Sequence, residues 1–312
     1  MDTLILHHYD GSPFAEKVRL MLGYKGLAWR SVKVPVIMPK PDVVALTGGY
    51  RKTPIMQIGA DIYCDTALIA QLLEQRLPAS AESPSLFPPN QALAPLLAQW
   101  ADSTLFWTVI PYAMQPAGVA AIFKGAPPEV LRAFSADRAP FTAGIKRQTA
   151  ADATVNLAVY LGWLEAQLAD GRPYLLGFEA SIADFAVAHC LWYLRRAGPL
   201  AGIAARHVQL NTWLDRMLAI GHGPCEAMTS EQALAVARAA TVHAAATVQA
   251  NLGFAAGQAV TVTPTDYGLD PVAGTLVGLS ADEVVLARSD ERAGHLHVHF
   301  PRRGFQIQQE TT

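Results

Sequence analysis

A strand, a tight turn and a capped helix open this chain. Residues 3–9, TLILHHY, are a short apolar run ending in polar residues, the pattern of a buried strand. Asp10-Gly11 is a turn signal, and Ser12-Pro13 then starts a helix, with serine at the N-cap and proline at the first helical position. In that helix Phe14, Val18, Met21 and Leu22 share one face, while Glu16, Lys17 and Arg19 lie off it. Gly26 ends it, and residues 29–36 read as a second strand. Strand, helix and strand in that order form a parallel crossover, so the chain begins as an α/β domain.

A loop with at most one helical turn follows, up to Gly48-Gly49. Residues 54–58 and 62–64 read as a hairpin around Gly59-Ala-Asp61, and residues 66–77 as an amphipathic helix carrying Leu68, Ile69, Leu72 and Leu73. The order βαβ then ββα is that of a thioredoxin-like domain over residues 1–77. Residues 78–90 hold Pro78, Pro84, Pro88 and Pro89 and read as an extended linker. Residues 91–250 lack strand signals and are rich in alanine, so we expect an all-helical second domain. After Gly253 the pattern changes again. Five short alternating segments separated by turn residues, within 254–312, predict a small β-barrel-like module. So short a module is marginal alone, and we expect it to dock on the helical domain or a second subunit. It carries no cluster of carboxylates or nucleophiles, so no catalytic part is expected of it.

Composition excludes several classes of function. Hydrophobic residues make up 51% and charged residues 16%, which suits a packed core and not a disordered chain. A formal net charge of −2 advertises neither a nucleic-acid nor an acidic-membrane partner. Cys64, Cys190 and Cys225 are too scattered for a disulfide framework or a Cys-x-x-Cys centre. The start lacks the basic region of a signal peptide, and the most apolar helical stretch carries Asp184 and His189, so the expected location is the cytoplasm. His295, His297 and His299 alternate and share one face of a strand. Three histidines at that spacing suit zinc, but no acid or cysteine pattern nearby supports it, so no metal is expected.

Four motifs lie in order along the chain: Ser12-Pro-Phe-Ala-Glu-Lys-Val-Arg-Leu20, Lys52-Thr-Pro54, Asp65-Thr66 and Ser181-Ile-Ala-Asp184. Together they resemble the glutathione transferase family over roughly residues 3–246. The Ser-Pro-Phe opening is similar to its serine-type members, the tau class and the bacterial etherase-like enzymes. Omega-class members have a similar opening with cysteine in place of Ser12. The resemblance implies glutathione as co-substrate, a small hydrophobic electrophile, a role in detoxification and a homodimer.

It also implies roles for particular residues. A cis peptide before Pro54 would leave the N–H and C=O of Thr53 unpaired at a sheet edge, where an extended tripeptide can add like a strand. Asp65-Thr66 starts a helix whose free N–H groups suit the γ-glutamyl carboxylate, with the Asp65 carboxylate facing the ligand's ammonium. The family usually has Glu-Ser at that place. Lys40 and Lys52 are candidates for the glycyl carboxylate, and Phe14 belongs to the binding motif. The glutathione thiol has a pKa of about 8.5, and each unit of depression needs about 1.4 kcal/mol, within reach of one charge-assisted hydrogen bond. Ser12 at a helix N-terminus is the expected donor. Tyr9 is the rival hydroxyl. Ser181 and Asp184 fit a structural capping box. Phe106, Trp107, Tyr112, Met114 and Phe123 lie where the family lines its electrophile pocket. Three other functions compete: a non-catalytic glutathione or hydrophobe carrier, a glutathione-dependent oxidoreductase, disfavoured by serine at position 12, and an assembly scaffold whose barrel binds a protein partner.

Overall fold

The computed structural model describes residues 3–80 and 83–310. Strand β1 (Leu4–His8) is buried along its whole length and leads into helix α1 (Pro13–Tyr24). Ser12 caps α1 from an extended backbone, its Oγ accepting from the Ala15 N–H at 3.2 Å. Strand β2 (Trp29–Lys33) runs parallel to β1, completing the crossover. Helix α2 (Pro41–Thr47) fills the following loop and ends on Gly48 at φ 81°. A Cβ there would stand 2.6 Å from Arg288 Nε, so glycine serves both the left-handed turn and a close approach from the far end of the chain. Strands β3 (Ile55–Ile58) and β4 (Asp61–Cys64) form the expected hairpin, with β3 antiparallel to β1, and helix α3 (Thr66–Arg76) follows. The first domain is thioredoxin-like.

Residues 77–93 contain no helix or strand among those described, as the prolines require. The second domain is helical. Helix α4 (Ala94–Trp100) continues through a π-helical turn, Ala101–Leu105, into α5 (Phe106–Ala113). Then come α6 (Pro116–Ile122), α7 (Pro128–Phe141), α8 (Ala150–Gln167), α9 (Ile182–Arg195) and α10 (Val208–Ala219). The Ser181–Asp184 capping box starts α9, and buried Asp184 also accepts from the Leu175 N–H at 2.8 Å and Trp213 Nε1 at 2.9 Å. Its role is structural. No single helix among the described residues is long and apolar enough to cross a membrane.

The helical domain stops earlier than the alanine content suggests. Strand β5 (Cys225–Met228) adds to β2 in parallel, and helix α11 (Ser230–Ala239) packs back on the sheet. β5 is mostly solvent-exposed, so its pairing is a backbone event without a buried face to show in the sequence. Residues 240–248 are extended although rich in alanine, because their backbone groups are used elsewhere: the Ala244 N–H donates to Asp61 Oδ2, and Thr247 O accepts from the Leu279 N–H.

Five strands follow: β6 (Ala259–Pro264), β7 (Val272–Leu279), β8 (Glu283–Asp290), β9 (Gly294–Pro301) and β10 (Phe305–Gln309). The β module is present, but it extends an existing sheet instead of closing into its own barrel. Strand β9 pairs in parallel with β4, giving a ten-stranded sheet in the order β10-β6-β7-β8-β9-β4-β3-β1-β2-β5. Its docking partner is therefore the edge of the first domain. The physical reason is that β4 has free ladder groups on that side, and five short strands bury more by extending it than by closing alone. Two cores result. One unites α1 and α3 with the helical domain; the other unites Val34, Leu46 and Ile62 with Leu276, Val298 and Phe300 of the module.

Candidate functional site

Two helix N-termini and one cis peptide define the site. The Thr53–Pro54 bond is cis, as the family resemblance implies. Ser12, only 2% exposed, stands at the start of α1 with its Oγ 3.4 Å from Thr53 O. That long hydrogen bond is weak, so an incoming acceptor can draw the hydroxyl away from it. Lys40 lies behind the same loop and donates to Thr53 Oγ1 at 3.0 Å and to Arg51 O at 3.3 Å. Burial, with the neighbouring Arg138 and Arg51 cations, lowers its ammonium pKa to about 8. The Tyr9 ring lies beneath Lys40, its centroid 5.7 Å from the Nζ.

At the second helix end Asp65 caps α3, Oδ1 accepting from the Ala67 N–H at 2.8 Å. Its backbone has φ 76°, a conformation costly for a non-glycine residue and most often kept at functional sites. Burial raises the pKa of its carboxyl, and Lys17 and Lys52 oppose that rise. Thr66 accepts from Lys17 Nζ at 3.2 Å, and the same ammonium meets Asp102 Oδ2 at 2.5 Å. Asp102 sits in the π-helical turn and pairs through Oδ1 with His189 Nε2 at 2.9 Å.

Thus Ser12, Lys40, Thr53 and Pro54 come together, and Asp65 and Thr66 form a second group tied to Lys17. Phe14 turns the other way: its ring lies 4.7 Å from both Phe106 and His189, at the join with the helical domain. Lys52 is already engaged, 2.7 Å from Asp266 Oδ1 and 4.0 Å above the Tyr267 ring.

Those last contacts belong to a turn, Asp266-Tyr-Gly268 between β6 and β7, whose sequence signals only a reversal of the chain. The Gly268 N–H donates to Phe141 O at 2.8 Å, and the Tyr267 ring lies 5.1 Å from Trp107 and 5.2 Å from Phe141. Burial pushes the Tyr267 phenol pKa well up, with Asp266, Asp65, Asp102 and Tyr9 adding to it, so the hydroxyl stays protonated beside the site. The module therefore does reach the candidate site. No motif singles out Arg51 and Asp137, which are joined at 3.1 Å, with the Met38 N–H on the same carboxylate at 3.0 Å. The adjacent cations Arg51-Lys52 beside Pro54 were the only local signal for this group. Of the five pocket candidates, Trp107 faces the Tyr267 loop. Phe106 packs on Phe14, Tyr112 donates to Leu200 O, Met114 accepts from Tyr193, and Phe123 lies against Phe134.

The family model for the N-terminal domain of glutathione S-transferase matches residues 6–81, and that for the C-terminal domain matches residues 147–216. The chain is 40% identical to a GST-like protein from Pseudomonas syringae, over 99% of this chain and 100% of that one, with a TM-score of 0.81. That match is long enough to include the C-terminal strands. A glutathione S-transferase from Rhodospirillum rubrum F11 is 21% identical over 70% of this chain and 88% of its own, with a TM-score of 0.53. The beta-etherase LigF from Sphingobium sp. strain SYK-6 is 20% identical over 70% and 95%, with a TM-score of 0.51. These last two share the fold alone. The search of curated proteins returned no match. The chain belongs to the glutathione transferase family.

Proposed function

We propose that the protein is a glutathione transferase in which Ser12 activates the thiol and a small hydrophobic electrophile receives it. The observation that carries this reading is the hydroxyl of Ser12 at the start of α1, next to the cis Thr53–Pro54 peptide. A tripeptide paired with Thr53 as an added strand brings its cysteine sulfur to that helix end. There the Ser12 O–H and the positive end of α1 both favour thiolate over thiol. The thiolate then attacks the electrophilic carbon, a carbon–sulfur bond forms, and the leaving group departs with its electron pair. Asp65 takes the ligand's ammonium, and the α3 N-terminus with Thr66 takes the γ-glutamyl carboxylate. Lys40 is the stronger candidate for the glycyl carboxylate, because Lys52 is neutralised by Asp266. The electrophile lies against Trp107, Phe141 and Tyr267, whose rings form one aromatic wall. A cytoplasmic homodimer is the working assembly that the family suggests.

The test follows the ultraviolet absorbance of bound thiolate against pH, together with turnover of an activated aryl halide. Ser12→Ala should raise the pKa of bound glutathione and reduce turnover by at least about tenfold, while Tyr9→Phe does much less. A larger effect from Tyr9→Phe transfers the role to that phenol. A wild-type protein that binds glutathione but turns over no electrophile is a carrier.

A further inference from the structure

Three segments far apart in sequence meet where the module joins the first domain. Asp61 begins β4, His297 is its register partner on β9, and His243 comes from the extended stretch after α11. Asp61 Oδ1 lies 3.8 Å from His243 Nδ1 and 3.8 Å from His297 Nδ1. Those distances are too long for hydrogen bonds. Both Nδ1 atoms are buried and without a partner, whereas buried polar atoms are normally paired. The two imidazoles stack, with centroids 3.9 Å apart and planes inclined by 17°. The three potential ligand atoms lie within 4.8 Å of one another.

From this geometry we infer that Asp61, His243 and His297 bind one divalent transition-metal ion of the zinc class. Two imidazole nitrogens and one carboxylate oxygen suit such borderline ions, and three protein ligands leave a fourth position for water. Bonds of about 2.0–2.2 Å to a tetrahedral ion place ligand atoms roughly 3.3–3.6 Å apart. The two carboxylate–imidazole pairs reach that from 3.8 Å by closing a few tenths of an ångström, and the two stacked rings adjust around the ion. An ion also has a way in, since the His243 and His297 side chains remain 22% and 19% exposed.

The carboxylate is already oriented for the task. Its Oδ2 accepts from the Ala244 N–H at 2.9 Å, and Oδ1 pairs with His299 Nε2 at 2.9 Å. His299 in turn meets Glu283 Oε1 through Nδ1 at 2.8 Å. Glu283 and His299 are thus positioning residues, holding a ligand's direction without touching the ion. His295 takes no part: it is exposed and pairs with Ser289. The acid missing from the histidine run comes from β4, more than two hundred residues away in sequence. A bound ion would fasten the first domain, the extended stretch after α11 and the module at one point.

The test uses the full-length protein, stripped with a chelator and then titrated with Zn²⁺ against a chromophoric competitor. A parallel titration with Co²⁺ is followed by visible absorption. We expect one ion per chain, a sub-micromolar dissociation constant and the intense bands of four-coordinate cobalt. His243→Ala and His297→Ala should each weaken binding by about a hundredfold or more, and Glu283→Gln by about tenfold. His295→Ala, on the same strand but outside the cluster, should change nothing. Circular dichroism checks that each variant folds, and the wild-type cobalt spectrum stands independently of them. Absence of saturable Zn²⁺ or Co²⁺ binding in the micromolar range overturns the site. So does one-to-one binding that survives both histidine substitutions in folded protein.

Discussion

The first domain is held from two sides, and the two joins handle buried charge differently. On the side of the helical domain, Lys17 is fully engaged: its ammonium meets Asp102 and Thr66, and Asp102 is completed by His189. On the side of the module, Asp61 is satisfied by His299 and the Ala244 N–H, yet two neighbouring imidazole nitrogens are left over. A join whose charges complete one another within the chain is a structural device. A join with unpaired nitrogen aimed at a carboxylate has capacity for something the chain does not supply. The two also reach the candidate site by different routes. Lys17 touches Thr66 at the start of α3, while the module sends a loop to meet Lys52.

Breaking the helical join should give the largest effect. Lys17→Ala removes a cation whose side chain is 1% exposed and leaves Asp102 without its main counter-charge. Leaving one partner of a buried pair uncompensated costs about 3–5 kcal/mol, so chemical denaturation should lose about that much stability. A loss below about 1 kcal/mol would mean that water or His189 replaces the ammonium, and the contrast between the joins would weaken.

Acid tests the interior of the first domain. His7 lies in β1, between β3 and β2 in the sheet, with Nε2 paired to Gln57 Oε1 at 2.8 Å. Burial lowers its pKa from 6.5 to about 4, against the opposing pull of Gln57 and Asp42. The unfolded chain therefore takes up a proton first as pH falls. The stability from keeping His7 neutral is complete above about pH 6.5 and drains away towards pH 4, by up to about 3 kcal/mol. Denaturant midpoints between pH 7 and 4.5 should fall more steeply for the wild type than for His7→Gln. Parallel curves would assign acid sensitivity elsewhere. A single transition by both far-ultraviolet and tryptophan signals would show that the two joins fail together.

How much of this was legible in the sequence follows the same division. Ser12, Thr53-Pro54 and Asp65-Thr66 were readable because each is a local device: an N-cap before proline, a proline opening a strand, a cap before an amphipathic helix. The five module strands were readable from alternation. What they join was not, because β4–β9 pairing is a backbone match between distant segments, and nothing in either segment's own pattern names its partner. The same holds for Asp61 and the histidines, and for β5, whose exposed side chains carry no periodic signal. Tyr267 was hidden most completely: a turn sequence shows that the chain reverses, not what the turn will rest on.

Tyr267 supplies the finest test of the comparison, since it asks whether the module's join bears on chemistry as well as stability. Its ring stands against Trp107 and Phe141 and under the Lys52 ammonium, and its backbone belongs to neither of the first two domains. Tyr267→Ala removes one face of the aromatic wall while leaving Ser12, Thr53 and Asp65 untouched. Aromatic pairs contribute about 0.5–1.5 kcal/mol beyond burial, so the KM for a hydrophobic electrophile should rise by up to about tenfold. The KM for glutathione should hardly move, because Asp266 still carries the contact to Lys52. Tyr267→Phe keeps the ring and loses only a hydroxyl that stays protonated, so it separates the wall from a hydrogen bond. If Phe behaves as wild type and Ala does not, the loop acts by shape. If Phe lowers kcat while KM stays, the hydroxyl donates to the leaving group in the transition state, and the module is part of the catalytic apparatus. If neither variant changes either constant for several electrophiles, the loop is only a fastening, and both joins are structural after all.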